Sequence, residues 1–518
     1  MPVLTSIFNS ISAKRLRQID HFRRHPHEVQ LQTLRSLIER AKDTLYGQQH
    51  RFGSIKGPED FAARLPLVEY ETLKPYIDKM CGGEDNVLWP TPIRLFARSS
   101  GTTQHRSKLI PVSREGLQHC HYRGVRDNLV LYCHRYPHSR LFGGKALTLG
   151  GSQAIDLNPM QGLFVGDLSA VMLKSQPWWT DLFRAPNQHA ALLPHWEEKL
   201  EQIAQQTVRS NITSLSGVPS WNLVLMEHIL QRTGRRHLHE VWPNLELFMH
   251  GGVSFGPYRE RFRELLPSEI MHYQESYNAS EGFFAIQDDP QADDMLLMLD
   301  YDVYFEFIAL RTMAGSQLQG AQTIGLDQVE LGQQYAVVIS TSSGLWRYVI
   351  GDTITFTSLS PYRIKITGRT RQFINVFGEE LIMENAEHAM QHTCWHCNAR
   401  VREYTVAPLF MNSAAQKGGH QWLVEFERSP SSMEGFARML DQQLCQVNSD
   451  YAAKRAHDVT MKQLELLPLA PGTFMEWMRR RGKLGGQNKV PRLSNTREHA
   501  EQLLDISQQL GHQPSTPQ

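Results

Sequence analysis

Five consecutive positions, Ser99-Ser100-Gly101-Thr102-Thr103, carry four hydroxyls and a glycine directly behind the apolar run 93–96. A strand feeding such a turn presents backbone N–H groups and O–H donors to a phosphate. Glycine lets the backbone come close, and the hydroxyls surround the oxygens without adding net charge. Lys108 adds a point charge a few residues on. The spacing is not the Walker form, because no lysine follows the glycine directly. Ordinary loops have the same composition, so the stretch acquires meaning only from partners elsewhere. A second cluster is Ser276-Tyr277-Asn278-Ala279-Ser280-Glu281-Gly282, read as a turn after a strand at 270–274. It offers a ring to stack on a base, a serine to donate to a phosphate, and a glutamate to hold Mg²⁺. A third, Arg347-Tyr348-Val349-Ile350-Gly351-Asp352, places an aspartate at a predicted strand end, suited to accept from two ribose hydroxyls. A hairpin aspartate is the equal alternative.

Other patterns are weaker. Arg123 and Arg126 stand one turn apart on a predicted helix, either a solvated basic face or an arginine reaching an anionic substrate. Gly252-Val253-Ser254-Phe255-Gly256 matches a serine-hydrolase elbow. There an HGG-type turn lies well upstream, whereas here His250-Gly251-Gly252 immediately precedes the serine. A glycine-rich turn against a flat ligand is the better reading. Cys394-Trp395-His396-Cys397, with His392, lacks the second ligand pair of a structural zinc site.

The elements that must position these groups follow from periodicity and punctuation. Helical spacing over 15–46 predicts one long helix, and 59–76 a second, interrupted by Pro66 and Pro75. Ser113 is a candidate cap for a helix running to about residue 132. Strands at 212–216 and 245–250, separated by a helix from 221 to 231, suggest β/α units and a largely parallel sheet. Strands are also expected at 337–340 and 346–357. Beyond residue 372, a helix, two strands and a helix read as a separate small α/β domain.

The chain has 518 residues, 41% hydrophobic and 21% charged, which suits a globular protein of about three domains or one large and one small. A net charge of +1 gives no strong overall footprint for nucleic acid or anionic membrane. Six scattered cysteines argue for free thiols in a reducing compartment. Lys14, Arg15, Arg17, Arg23 and Arg24 fall where a signal peptide needs its apolar core. The run 295–310 is broken by Asp300, Asp302 and Glu306. The expectation is a cytoplasmic protein with no membrane or nucleic-acid partner.

Taken in order, the three clusters resemble the nucleotide motifs of the adenylate-forming, acyl-activating superfamily. More narrowly they resemble the auxin-responsive acyl acid-amido synthetases, known from plants and present as bacterial relatives. Gly217-Val218-Pro219-Ser220-Trp221, His250-Gly251-Gly252-Val253-Ser254-Phe255, Thr367-Gly368-Arg369 and Gly485-Gly486-Gln487-Asn488-Lys489-Val490-Pro491-Arg492 add matches, so the likeness spans about residues 65–492. The resemblance implies an α/β fold with a large N-terminal ATP- and acyl-binding domain, 1–370, and a smaller mobile C-terminal domain, 371–518. It implies that Ser99, Ser100, Thr102 and Thr103, around Gly101, cradle the β- and γ-phosphates of ATP. Gly251 and Gly252 would line the adenine, with Tyr277 against its ring. Ser280 would contact the α-phosphate, Glu281 would bind Mg²⁺, and Asp352 would hold the ribose with Arg369. Lys489 would reach the adenylate from the second domain. Arg123 and residues 218–221, including Val218 and Trp221, would border the acyl pocket. Many relatives continue the first loop with glycine, where this chain has Gln104, His105 and Arg106.

The reaction so implied has two steps. A carboxylate attacks the α-phosphorus of ATP, giving acyl-adenylate and pyrophosphate. An amine, that of an amino acid, then attacks the carbonyl, giving an amide and AMP. The alternatives are delivery to a thiol such as coenzyme A, and a non-catalytic ATP-binding protein.

Overall fold

A computed structural model describes residues 2–99, 108–151, 162–193, 196–252, 255, 258–310, 321–369, 373–379, 381–411, 418–456, 461–481 and 491–511. The chain divides into two compact units. One holds Met1–Ser99, Lys108–Gly252 and Phe262–Thr370; the other is built mainly from Arg371–Gln518.

The first unit carries fourteen strands among the described residues. They are β1 (Leu95–Ser99), β2 (Lys108–Val112), β3 (Lys145–Thr148), β4 (Phe164–Gly166), β5 (Arg184–Ala185), β6 (Ile212–Gly217) and β7 (Leu247–His250), followed by β8 (His272–Ala279), β9 (Gly282–Ile286), β10 (Met295–Leu297), β11 (Val303–Ala309), β12 (Gln334–Thr341), β13 (Tyr348–Leu359) and β14 (Tyr362–Arg369). Eleven form one sheet in the order β11-β12-β13-β14-β10-β9-β8-β7-β6-β3-β5, and β2-β1-β4 form another. The run β8-β7-β6-β3-β5 is parallel, as helix-connected β/α units require. From β8 onward the other half is antiparallel. β12 reads Gln-Tyr-Ala-Val-Val-Ile-Ser-Thr and is buried along all but its first residue, the pattern of a strand covered on both faces. The core beside it is aromatic: Trp346 meets Phe52 edge-on at 4.7 Å, and its indole N–H donates to Leu88 O at 3.1 Å.

The expected helix over 15–46 is two helices, α1 (Pro2–Arg24) and α2 (Pro26–Ala41). Pro26 lacks the N–H that would continue the first helix and instead opens the second. Ser113 does cap its helix, accepting from Gly116 N at 2.8 Å, but residues Gly116–His121 wind as a π-helix before Tyr122–Arg135 turns regular. Pro75, expected to interrupt, lies inside the helix Tyr70–Cys81.

In the second unit, β15 (Phe373–Ile374) pairs with β16 (Leu381–Ile382), and β17 (Arg400–Leu409), β18 (Gly419–Arg428) and β19 (Glu465–Pro468) form a three-stranded sheet. Helices Met383–His396 and Met433–Val447 accompany it. The latter starts where the Ser432 side chain accepts from Gly435 N at 3.0 Å, a local cap.

Candidate functional site

The parallel strands β6, β7 and β8 lie side by side, with Gly217 opposite His250 and His250 opposite Glu275. Their carboxyl ends therefore lie on one edge, where open α/β sheets bind ligands. Glycine shapes that edge. A Cβ on Gly251 would lie 2.4 Å from the Ser276 carbonyl oxygen, so a larger residue would push the end of β7 away from β8. Gly252 has φ +82°, a left-handed backbone that an L side chain resists, and a Cβ there would touch Val218 Cγ2 at 3.4 Å. Val218 itself stands at the cap of the helix Pro219–Thr233, and Trp221 lies in its first turn. The Ser276 hydroxyl donates to His250 O at 3.3 Å and closes the β7–β8 end.

One residue further along β8, the Tyr277 hydroxyl donates to Asp352 Oδ2 at 2.7 Å, joining positions 75 residues apart in sequence. Both side chains are buried, at 5% and 8% exposure. The Tyr277 ring meets Phe284 edge-on at 4.9 Å. Asp352 is not at a strand end, as its sequence context suggests, but in the interior of β13, with Arg369 opposite it on β14. Likewise β8 runs through Ala279, so the expected turn at 276–282 contracts to Ser280 and Glu281, between paired Ala279 and Gly282. The second and third sequence clusters thus meet at one place. A carboxylate held by a phenol O–H is an acceptor fixed in position, the need of a group that takes two hydroxyl donors.

The helix Tyr122–Arg135 packs tightly on β9, since a Cβ on Gly124 would come within 2.3 Å of the Phe283 ring. From this helix Arg123 donates to the Asp300 carbonyl oxygen at 2.7 Å. It thereby joins a cluster in which Arg15 of α1 bridges Asp127 and Asp300. Ser99 ends β1, opposite Lys108 of β2. Ser100, Gly101, Thr102, Thr103, Ser254 and Lys489 lie outside the described residues, as does the Arg369 side chain.

A further part of this edge lies in 141–151, which the sequence reads as a Gly-rich strand and turn without a functional role. Gly150-Gly151 follows β3, which lies parallel to β6. Lys199, only 1% exposed, donates to Gly150 O at 2.6 Å and to Gly151 O at 3.0 Å, and Gly151 N donates to Ser169 Oγ at 2.7 Å. The available signal was a repeat: a glycine pair follows the apolar run at 146–149 just as Gly251-Gly252 follows 247–250. Among the described residues no group of three or more His, Cys, Asp or Glu could hold a metal ion. Glu281 supplies a single carboxylate, a donor set that suits Mg²⁺ completing its shell with substrate phosphates and water.

The comparisons with known proteins agree in order along the chain. The GH3 family N-terminal domain matches residues 15–271, the central domain 296–369 and the C-terminal domain 384–498. The indole-3-acetic acid-amido synthetase GH3.4 of Arabidopsis thaliana is 24% identical, over 92% of this chain and 91% of that protein. Among solved structures, the GH3.15 acyl acid amido synthetase shares 19% identity with TM-score 0.56, covering 92% of this chain and 93% of its own. A 2-hydroxyisobutyryl-CoA ligase in complex with 2-HIB-AMP and CoA shares 14% identity with TM-score 0.54, covering 94% and 92%. These structural likenesses are likenesses of fold. With all three of its domains matched in sequence order, the chain belongs to the GH3 family.

Proposed function

We propose that this protein is an ATP-dependent acyl acid-amido synthetase, which adenylates a carboxylic acid and passes the acyl group to the amine of an amino acid. One observation carries the reading beyond family membership: the Tyr277–Asp352 hydrogen bond at the glycine-edged ends of β6, β7 and β8. A carboxylate is a poor acyl donor because the oxygen that must leave is strongly basic. Attack on the α-phosphorus of ATP turns that oxygen into part of a phosphate ester, with pyrophosphate departing. Attack by the amine then releases AMP.

In this reading Asp352, steadied by Tyr277 and with Arg369 beside it, takes the ribose hydroxyls. Gly251 and Gly252 let the adenine lie against the backbone. Ser99, Ser100, Thr102 and Thr103, around Gly101, hold the outer phosphates, and Ser280 donates to the α-phosphate. Glu281 holds Mg²⁺, which when bound offsets charge on the phosphate oxygens. Lys489, carried by the 371–518 domain, neutralises the same oxygens as the α-phosphorus is attacked. Val218 and Trp221 border the acyl group. The enzyme's contribution is mainly alignment of two reactants. Closure of the smaller domain excludes water from the adenylate.

The test is ATP–pyrophosphate exchange with a broad panel of carboxylic acids, followed by product analysis with amino acids or coenzyme A as acceptor. Exchange that depends on a particular acid, and an amide as product, is the expected outcome. A thioester with coenzyme A and no amide would move the assignment to a thiol acceptor. ATP binding without exchange for any acid would end the ligase reading.

A further inference from the structure

The first unit exposes an apolar and cationic surface that the proposed chemistry does not use. Along α1, Val3, Leu4, Ile7 and Ile11 fall on one side by the helical period, and Ile11 is 76% exposed. The opposite side, with Thr5, Ser12, Arg15 and Ile19, is buried. The exposed side continues one turn on as Lys14, Arg17 and His21, which with Gln18, Gln32 and the acidic Asp300 line an open groove of about 500 Å³. A second apolar group follows the sheet: Trp178, Trp179, Leu182 and Phe183 stand in and just after a 3₁₀ turn, with Trp178 82% exposed.

The topology puts the two groups at the same end. Phe183 leads into β5, and its carbonyl accepts from Ala146 N of β3 at 2.9 Å. Residues Leu141–Gly143 lead into β3, and α1 packs there through Phe8 on Phe142 at 4.7 Å and Thr5 Oγ1 donating to Ser139 O at 2.8 Å. β3 and β5 are parallel. Both apolar groups therefore stand at the amino ends of these strands, and the glycine edge of the site is at the carboxyl ends.

Cations outnumber acids on the segments around them, although the chain as a whole carries only +1. α1 has no acidic residue before Asp20. The segment 134–145 has His134, Arg135, His138, Arg140 and Lys145 and no acid. The nearby acids are paired: Asp181 accepts from Arg184 Nε at 2.5 Å, Glu246 accepts from Ser139 and from Arg140 N, Asp300 accepts from Arg15 Nη2 at 2.8 Å, and Asp289 pairs with Arg135 at 3.0 Å. Exposed tryptophans and an apolar helix face, bordered by cations, match the headgroup boundary of an anionic lipid surface. No helix among the described residues is long and apolar enough to cross a membrane, so the contact is peripheral.

We propose that this end of the first unit docks on anionic membranes, with the face of α1 and the Trp178–Phe183 turn inserted at the headgroup level and Lys14 and Arg17 on the phosphates. The test is flotation of the full chain with phosphatidylcholine vesicles, with and without about 30% phosphatidylserine. Binding is expected to be at least about tenfold stronger to the anionic vesicles and to weaken with salt. Ile7→Glu with Ile11→Glu, or Trp178→Ser, should abolish it. Lys14→Glu and Arg17→Glu should each cost about fivefold or more. All of these surface variants should keep the wild-type melting temperature and wild-type ATP binding. Wild-type protein that stays with the unbound fraction on both vesicle types would overturn the proposal, as would Ile7→Glu/Ile11→Glu protein that floats like wild type. A dimer that Ile11→Glu dissociates, in a protein that ignores vesicles, would give this surface to a second copy of the chain instead.

Discussion

The 2.7 Å contact between the Tyr277 hydroxyl and Asp352 is the smallest unit on which the site depends. If Asp352 takes the ribose, the phenol acts only through it. Tyr277→Phe should then raise the KM for ATP about five- to tenfold, the worth of one hydrogen bond to a charged acceptor. Asp352→Ala should cost more, about thirtyfold, by removing the acceptor itself. In the Asp352→Ala background the tyrosine change should cost nothing further, which a double-mutant cycle on ATP binding measures. A full, additive penalty for Tyr277→Phe in that background would separate the two residues. At this scale the sequence was informative about which residues, and less so about where they sit. The types in Ser276–Gly282 and Arg347–Asp352 pointed to a nucleotide, and the hydrogen bond between Tyr277 and Asp352 was not foreseeable from either segment alone. Arg347, quoted with the third cluster, faces elsewhere. Its guanidinium binds Glu306 at 2.9 and 3.0 Å, Thr323 Oγ1 at 2.6 Å and Ala62 O at 2.7 Å.

That buried pair, with both side chains 5% exposed, belongs to the scale of elements. Glu306 is on β11 and Arg347 leads into β13, so the pair fixes the two outer partners of β12. Arg347→Met leaves Glu306 buried without its cation, and should destabilise the protein by about 3–5 kcal/mol, read as a lower urea midpoint. Replacing both residues by methionine should recover most of that loss. A single substitution as stable as wild type would mean that the pair does not hold β13. Element types were largely readable from periodicity, as for the helix Met433–Val447 and the strands β6 and β7. Boundaries were not. β8 extends through a stretch of polar residues because pairing with β9 satisfies its backbone. The helix expected over 15–46 breaks at Pro26, a proline weak as a local signal at a helix start.

For the whole molecule, strand order was beyond reach of the sequence. Nothing local says that β14 pairs with both β13 and β10, or that β3 follows β6 at the parallel end. Those long-range pairings bring Gly251, Tyr277 and Asp352 to one edge, and they also separate that edge from the apolar, cationic end formed by α1 and the Trp178–Phe183 turn. Net charge hid this second asymmetry, because an average over 518 residues does not register a local excess of cations. The family match, in contrast, was legible through the order of short motifs, each weak by itself.

One nucleoside should sit where the ends of β6, β7 and β8 meet Asp352. A crystal structure of the protein with AMP tests this placement most directly. The ribose hydroxyls are expected within hydrogen-bonding distance of Asp352 and the adenine against Gly251 and Gly252. AMP bound away from both Asp352 and the glycine edge, in a protein that retains the Tyr277–Asp352 contact, would contradict it.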